Sequence, residues 1–396
     1  MTTTVAGSDE LGRGAFLFLL RQAAEKEFSL IVTVPSRGEH KAWAQSKILE
    51  AGLSQNSEEG NSIVFSKDGK KAKVILNQSS QPHLLNWAED VVFMGKHSAH
   101  TRDGAFQADL ESGVDSALEW RREDDWVELG LRDPERHSYA VGSGNRTIDF
   151  RAIPEEFLAP DSASGDQRVF RKRESILAAI DGGNFLSNGA PRGERLYIVG
   201  LDSVAFTFDY LVKKGTVQNA TPEDAKAAIQ EALSLKDNDR LVFVEQPSFH
   251  IDMSMTVSGD NEVVLSDTRA LNALVNPDQE LSDFDYNKSL LEDKVQAQLE
   301  EAGVRVEREP WAGPISTEFN LFNGEFVRSE DTGKSYFITN GLFGLDEETK
   351  TILTDEIEEF YDAVGVEVVL SDEATARALL CAGSGGIGCK TNGVNC

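Results

Sequence analysis

Phe249-His250-Ile251-Asp252-Met253-Ser254-Met255-Thr256-Val257 opens a unit that decides how the rest of this chain is read. Residues 250–257 read as a strand, and Glu262 to Leu265 as a second strand across the turn Gly259-Asp260-Asn261. A helix is expected from Tyr286 to Ala302, followed by a strand at Val304-Arg305-Val306. The order is ββαβ.

Working outward, the same order recurs on both sides. Upstream, Gly182-Gly183-Asn184-Phe185-Leu186 begins a unit whose second strand is Arg195 to Val199. Its helix starts at Thr221-Pro222-Glu223-Asp224, where a cap residue, a proline and early acids are strong start signals. Arg240 to Val244 closes it. Downstream, Phe319 to Val327 and Ser335 to Thr339 read as strands, Thr349 to Val364 as a helix and Glu367 to Leu370 as a strand. A fourth start is Gly383-Ser384-Gly385-Gly386-Ile387-Gly388-Cys389-Lys390-Thr391-Asn392, where the chain runs out. The starts near Gly183, His250, Phe319 and Gly385 lie about 65–70 residues apart, which signals internal repetition.

The N-terminal part supplies what the fourth unit lacks. Ser29 to Val34 reads as a strand, Lys41 to Ala51 as a helix, and Ser62 to Phe65 with Ala72 to Leu76 as a hairpin around Lys67-Asp68-Gly69-Lys70. At Asp90 a carboxylate precedes the apolar run Val91-Val92-Phe93-Met94. Five modules are expected, the last with its opening strand at the C-terminus and its remainder at the N-terminus. The expected architecture is an α/β fold closed as a five-bladed pseudo-symmetric propeller. It spans residues 28–396 as one domain, with 1–27 as an N-terminal extension. Residues 103–150, charged and irregular around Trp120, Arg121, Arg122, Asp124, Asp125 and Trp126, read as an insertion.

Composition narrows the partners. The formal charge of −28 repels nucleic acid and anionic membrane, and it favours cationic ligands. No apolar run approaches the roughly 20 residues that span a bilayer, and no secretory signal is visible at Met1 to Ala6. Three cysteines, Cys381, Cys389 and Cys396, fall in the last sixteen residues. Their odd count argues against a disulfide framework, and their spacing without a nearby histidine argues against a metal site. A cytoplasmic, reducing location is expected; oligomeric state is left open.

A closed ring of repeats would gather the starts of equivalent strands at one centre: Asp90, Asn184, His250 with Asp252, and Cys389. In a strand His250 and Asp252, two apart, face the same side. Two carboxylates, Asp90 and Asp252, suit a planar guanidinium, which is best recognised bidentately. Cys389 as thiolate would attack the guanidinium carbon while His250 carries the proton. Small residues before the cysteine allow the close backbone approach such a turn needs.

These residues also match a known family. The stretches Trp87-Ala88-Glu89-Asp90, Gly183-Asn184, Phe249 to Val257 and Gly388-Cys389-Lys390-Thr391-Asn392 resemble the guanidino-group-modifying enzymes of the pentein superfamily. The likeness is greatest to the catalytic domain of peptidyl-arginine deiminases. The resemblance implies that Cys389 is the nucleophile, His250 the acid/base, and Asp90 and Asp252 the guanidinium ligands. It also implies substrate contacts at Trp87, Asn184 and Arg146, the last in the arginine-bearing segment Asn145-Arg146-Thr147-Ile148. The implied activity is hydrolysis of an arginine guanidinium, in a protein or a small guanidine, to a ureido product and ammonia. The alternatives are an amidinotransferase of the same superfamily and an inactive propeller that binds guanidinium peptides. Family members of this kind use calcium, but Val91-Val92 stands where an acidic calcium ligand is expected. No cofactor is therefore expected.

Overall fold

The computed structural model describes residues 2–4, 10–35, 39–59, 62–79, 84–88, 91–94, 127–128, 179–180, 182–188, 196–214, 219–233, 235, 238–248, 250–259, 261–313, 319–382, 386–388 and 391–392. In chain order the elements are β1 (Thr2–Thr4), α1 (Glu10–Lys26), β2 (Leu30–Pro35), α2 (His40–Glu50), β3 (Ser54–Glu59), β4 (Ser62–Ser66), β5 (Lys73–Ser79), β6 (Leu84–Ala88) and β7 (Val91–Met94). They continue with β8 (Val127–Glu128), β9 (Ala179–Ile180), β10 (Phe185–Ser187), β11 (Leu196–Gly200), α3 (Leu201–Lys214), α4 (Pro222–Leu233) and β12 (Arg240–Val244). Next come β13 (Met255–Gly259), β14 (Glu262–Ser266), α5 (Thr268–Val275), α6 (Asp283–Glu301) and β15 (Arg305–Glu309). The last are β16 (Glu325–Arg328), β17 (Ser335–Thr339), α7 (Glu347–Asp362), β18 (Val366–Leu370), α8 (Glu373–Arg377) and β19 (Thr391–Asn392).

The chain divides into two compact units, 1–80 with 244–393, and 81–243 with 394–396. In the first, two repeats share one plan. β13 pairs antiparallel with β14, which pairs parallel with β15 after the helices. β16, β17 and β18 repeat that pattern with their own register, Ser335 facing Val366 through to Thr339 facing Leu370. The middle strands, Glu-Val-Val-Leu-Ser and Ser-Tyr-Phe-Ile-Thr, are buried over their last four residues, as strands covered on both faces must be. Each repeat's long helix starts at a capping side chain. Ser282 accepts from the Asp285 amide in one, and Asp346 from the Thr349 amide in the other. Each helix is followed by a glycine in the left-handed region, Gly303 at φ 77° and Gly365 at φ 76°, which turns the chain into the third strand.

A third sheet of this unit joins strands from the two ends of the chain. Its order is β19-β1-β2-β5-β4-β3. β19, from the C-terminus, pairs antiparallel with β1, and β1 pairs parallel with β2 across α1. This is the ββαβ plan again, its opening strand at one end of the chain and its remainder at the other. The expectation that 1–27 stands apart is corrected here. Ala15, Phe16, Leu19, Leu20 and Ala23 form a buried stripe on α1, at the spacing of one helix face, and join the core with Leu30, Val32, Phe65 and Leu76. That core reaches the neighbouring repeat through Val327, Tyr336 and Ile338. A second cluster, with Val264, Trp311, Phe322, Phe337 and Tyr361, joins the two repeats to each other.

In the second unit β10 pairs antiparallel with β11, and β12 lies on the other side of β11. β6 and β7 form an antiparallel hairpin. Of the expected insertion, only Val127–Glu128 is described, paired with Ala179–Ile180; the rest of 103–150 lies outside the described residues. Among the described residues, no helix is long and apolar enough to cross a membrane.

Candidate active site

Each described repeat start is a tight turn ahead of the first strand, not a continuation of it. His250 has extended backbone, φ −132° and ψ 148°, and caps a 3₁₀ turn at Ile251–Met253. The Met253 amide donates to the His250 carbonyl at 3.3 Å, and the Ser254 amide to the Ile251 carbonyl at 2.9 Å. β13 begins only at Met255. This corrects the expected strand at 250–257. With about three residues per turn, the two-residue period that would set His250 and Asp252 on one side does not apply. Ile251 and Met253 are fully buried, His250 is 8% exposed, and Asp252 between them is half-buried. Met253 packs with Phe343, Ala376 and Leu380, the last two on the segment that leads into the glycine-rich turn.

The next repeat start is Asn320-Leu321-Phe322-Asn323. Its backbone is tied to the segment just after β15, with the Leu321 amide donating to the Trp311 carbonyl at 2.8 Å. The expected strand over Phe319 to Val327 is therefore shorter, Glu325–Arg328. Asn320 is fully buried and its Nδ2 donates to the Met253 carbonyl at 2.7 Å. Its Oδ1 accepts from the Asn323 amide at 2.9 Å. Asn340, just past β17, is also fully buried. Its Nδ2 donates to the carbonyls of Asn320 at 2.7 Å and Asn323 at 3.0 Å. Its Oδ1 accepts from the Ile387 amide at 3.0 Å. The Gly388 amide in turn donates to the Asn323 carbonyl at 3.3 Å.

A continuous ladder of hydrogen bonds thus runs from the His250 segment, through Asn320 and Asn340, to the turn at 386–388. Gly386 is where this turn meets the ladder. A Cβ built there would lie 2.4 Å from Asn340 Nδ2 and 2.7 Å from Asn323 Oδ1. The close approach expected of these glycines is made toward buried asparagines. Each bond nets about 1 kcal/mol, but a buried group left without its partner costs about 1–3 kcal/mol.

The remaining candidates are placed as follows. Asn184 is fully buried in the 3₁₀ turn Gly182–Asn184 before β10, in the second unit. Trp87 belongs to β6 in the same unit. Asp90, Arg146 and Cys389 lie outside the described residues. Sequence reading passed over Asn320, Asn323 and Asn340. The signal available was polar amides inside the apolar stretch Phe319 to Phe322 and at the end of a buried strand, where an unpaired polar side chain is costly.

The chemistry open to the described groups is limited and specific. An imidazole can take and return a proton, a carboxylate can hold a cation, and amides can only donate and accept. Among the described residues no group of three or more His, Cys, Asp or Glu side chains is arranged to hold a metal ion. Asp124 and Asp125 lie outside them.

No protein-family model matches this chain, and no curated protein does. Solved structures with similar backbones include an agmatine deiminase of C. jejuni, at 9% identity and a TM-score of 0.43, covering 100% of this chain and 93% of that one. Another is described as a "putative peptidyl-arginine deiminase", at 10% identity and a TM-score of 0.45, covering 100% and 96%. An agmatine deiminase of Enterococcus faecalis matches at 10% identity and a TM-score of 0.41, covering 96% and 89%. The chain is similar to deiminases.

Proposed function

We propose that this chain hydrolyses the guanidinium group of an arginine side chain or a small guanidine, giving a ureido product and ammonia. The Cys389 thiolate attacks the guanidinium carbon and forms a C–S bond. Ammonia leaves with a proton delivered by His250. Water, losing its proton to the same imidazole, attacks the thiouronium carbon. The C–S bond then breaks, the ureido product departs and the thiolate is restored. Asp90 and Asp252 hold the cation, while Trp87, Asn184 and Arg146 contact the rest of the substrate. The repeats close as a five-bladed propeller in this reading, and the pairing of β19 with β1 supports closure. The thiol chemistry suits the cytoplasm.

The observation that carries the reading is the asparagine ladder. It ties the His250-Ile251-Asp252 segment to the turn that runs directly into Cys389. The net charge of −28 favours a cationic substrate. No step passes through a metal, and turnover is expected to persist in excess chelator.

The test is release of ammonia and ureido product over a panel of free arginine, agmatine and arginine-containing peptides. Cys389→Ala should abolish both, while Cys381→Ala and Cys396→Ser retain most of the activity. Ureido product without ammonia, or ammonia release that survives Cys389→Ala, refutes the proposal. Amidino transfer to an added amine, in place of hydrolysis, points to the transferase chemistry instead.

A further inference from the structure

The repeat that starts at Phe319 contributes no group to the proposed reaction, yet its start is among the most completely buried polar stretches described. Asn320 and Asn340 are fully buried and Asn323 is 1% exposed. Together they accept or donate hydrogen bonds to three separate parts of the chain. These are the Met253 carbonyl, the backbone of their own repeat, and the Ile387 amide. The strand β17 that delivers Asn340 is itself fixed here. Thr339 Oγ1 donates to the Leu321 carbonyl at 2.9 Å, and the Gly341 amide donates to Ser371 Oγ at 2.9 Å. Gly341 leaves no room to shift, since a Cβ there would lie 2.1 Å from the Ser371 carbonyl oxygen.

We infer that Asn340, with Asn320 and Asn323, is a positioning device that sets the register of the Cys389 turn against the His250 segment. The inference rests on the proposed reading of Cys389 and His250. An amide is the one side chain able to serve both ends of this link at any working pH. Its NH₂ satisfies two carbonyls of the 320–323 turn while its oxygen takes the Ile387 amide, and it does not titrate. Asp at 340 would keep the acceptor for Ile387 and lose both donors. A small aliphatic residue would lose all three contacts. A nucleophile and its proton carrier need alignment to well under 1 Å, which a glycine-rich turn does not provide alone.

The test uses the full chain with Cys381→Ala and Cys396→Ser, so that Cys389 is the lone thiol. Two readouts are taken: kcat per titratable Cys389, and the pH dependence of its alkylation by 2-chloroacetamidine and by neutral iodoacetamide. Asn340→Ala is expected to lower kcat about tenfold or more with KM changed less than threefold, and to move the alkylation midpoint to higher pH. Asn340→Asp should fall between it and the parent. If Asn340→Ala shows no cooperative melt, Gly386→Ala, which presses on the same two asparagines, takes its place with the same expected outcome. A merely structural role lowers the melting temperature and leaves kcat per thiol and the pH midpoint unchanged; that result in the folded variants overturns the inference. A parent whose Cys389 reacts with 2-chloroacetamidine no faster than the denatured chain refutes the functional reading itself, and this inference with it.

Discussion

The repeat that begins at His250 and the one that begins at Phe319 share one sheet plan, the first adding the short helix α5, and they differ in their first residues. Both have an antiparallel pair, a capped helix, a left-handed glycine and a parallel third strand, in the same sheet order. The starts differ. One presents an imidazole and a half-buried carboxylate around two buried apolar side chains. The other presents asparagines, buried and bonded to backbone. The scaffold is thus indifferent to the chemistry at its start. In the proposed reading, titratable groups stand at the start that moves protons and charge, and amides, which do not titrate, set their alignment.

The comparison breaks most visibly if a reactive start is given the chemistry of the inert one. His250→Asn should lower kcat about a hundred- to ten-thousandfold while changing the melting temperature little, since it removes proton transfer and keeps a polar group. Asp252→Asn and Asp90→Asn should each cost on the order of 3 kcal/mol in kcat/KM, because a bound cation loses its counter-charge. A change below threefold in steady-state kinetics would remove that residue from the site.

The converse change acts on stability. Asn340→Ala strands the Asn320 carbonyl and the Ile387 amide and takes one of three donors from the Asn323 carbonyl, which keeps Thr339 Oγ1 and the Gly388 amide, and is expected to cost about 2–4 kcal/mol in urea denaturation. His250→Asn should cost less than about 1 kcal/mol in the same measurement. Equal losses would erase the distinction between the two starts.

The smallest effect concerns equivalent positions at the ends of the third strands. Glu309 faces Ser266 where Leu370 faces Thr339. Burial, then the charges of Glu356, Glu307 and Asp267, push the Glu309 carboxyl up to about 7 from 4.5. The folded chain therefore holds a proton that the unfolded chain releases. Glu309's contribution is fully present below about pH 4.5 and is lost as pH rises through about 7. Glu309→Gln should melt higher than the parent at pH 8, and the gap should close by pH 4.5. A gap that widens toward acid would reverse the sign.

Much of this was legible in the sequence because it depended on local signals. The apolar runs of β14 and β17 and the proline at 222 each announce an element without help from afar. Strand β12 falls at Arg240–Val244, as its sequence indicates. That the C-terminal stretch belongs with the N-terminal part was also legible, although its partner is β1 and not the strand expected at Ser29 to Val34. What stayed hidden is non-local. β1 is three threonines and β19 two residues, meaningful only once paired. Helix α3 is rich in aromatic and β-branched residues, Val204-Ala205-Phe206-Thr207-Phe208, whose helix propensity is poor, so packing rather than propensity makes it. The buried face of α1 was readable at helical spacing but looked like a short apolar run. The turn at 251–253 looked like strand because β-formers follow it. The asparagine ladder joins residues 67 and 47 positions apart, a separation no local pattern encodes.

A covalent intermediate on Cys389 should be visible by mass spectrometry of acid-quenched turnover. Full-length protein is mixed with a turned-over guanidine, quenched within the first turnovers, digested and mapped. The expected result is an adduct of substrate less ammonia on the peptide that carries Cys389, absent in Cys389→Ala and longer-lived in His250→Asn. An adduct on the Cys381 or Cys396 peptide, or ammonia release with no adduct under any quench time, would contradict it.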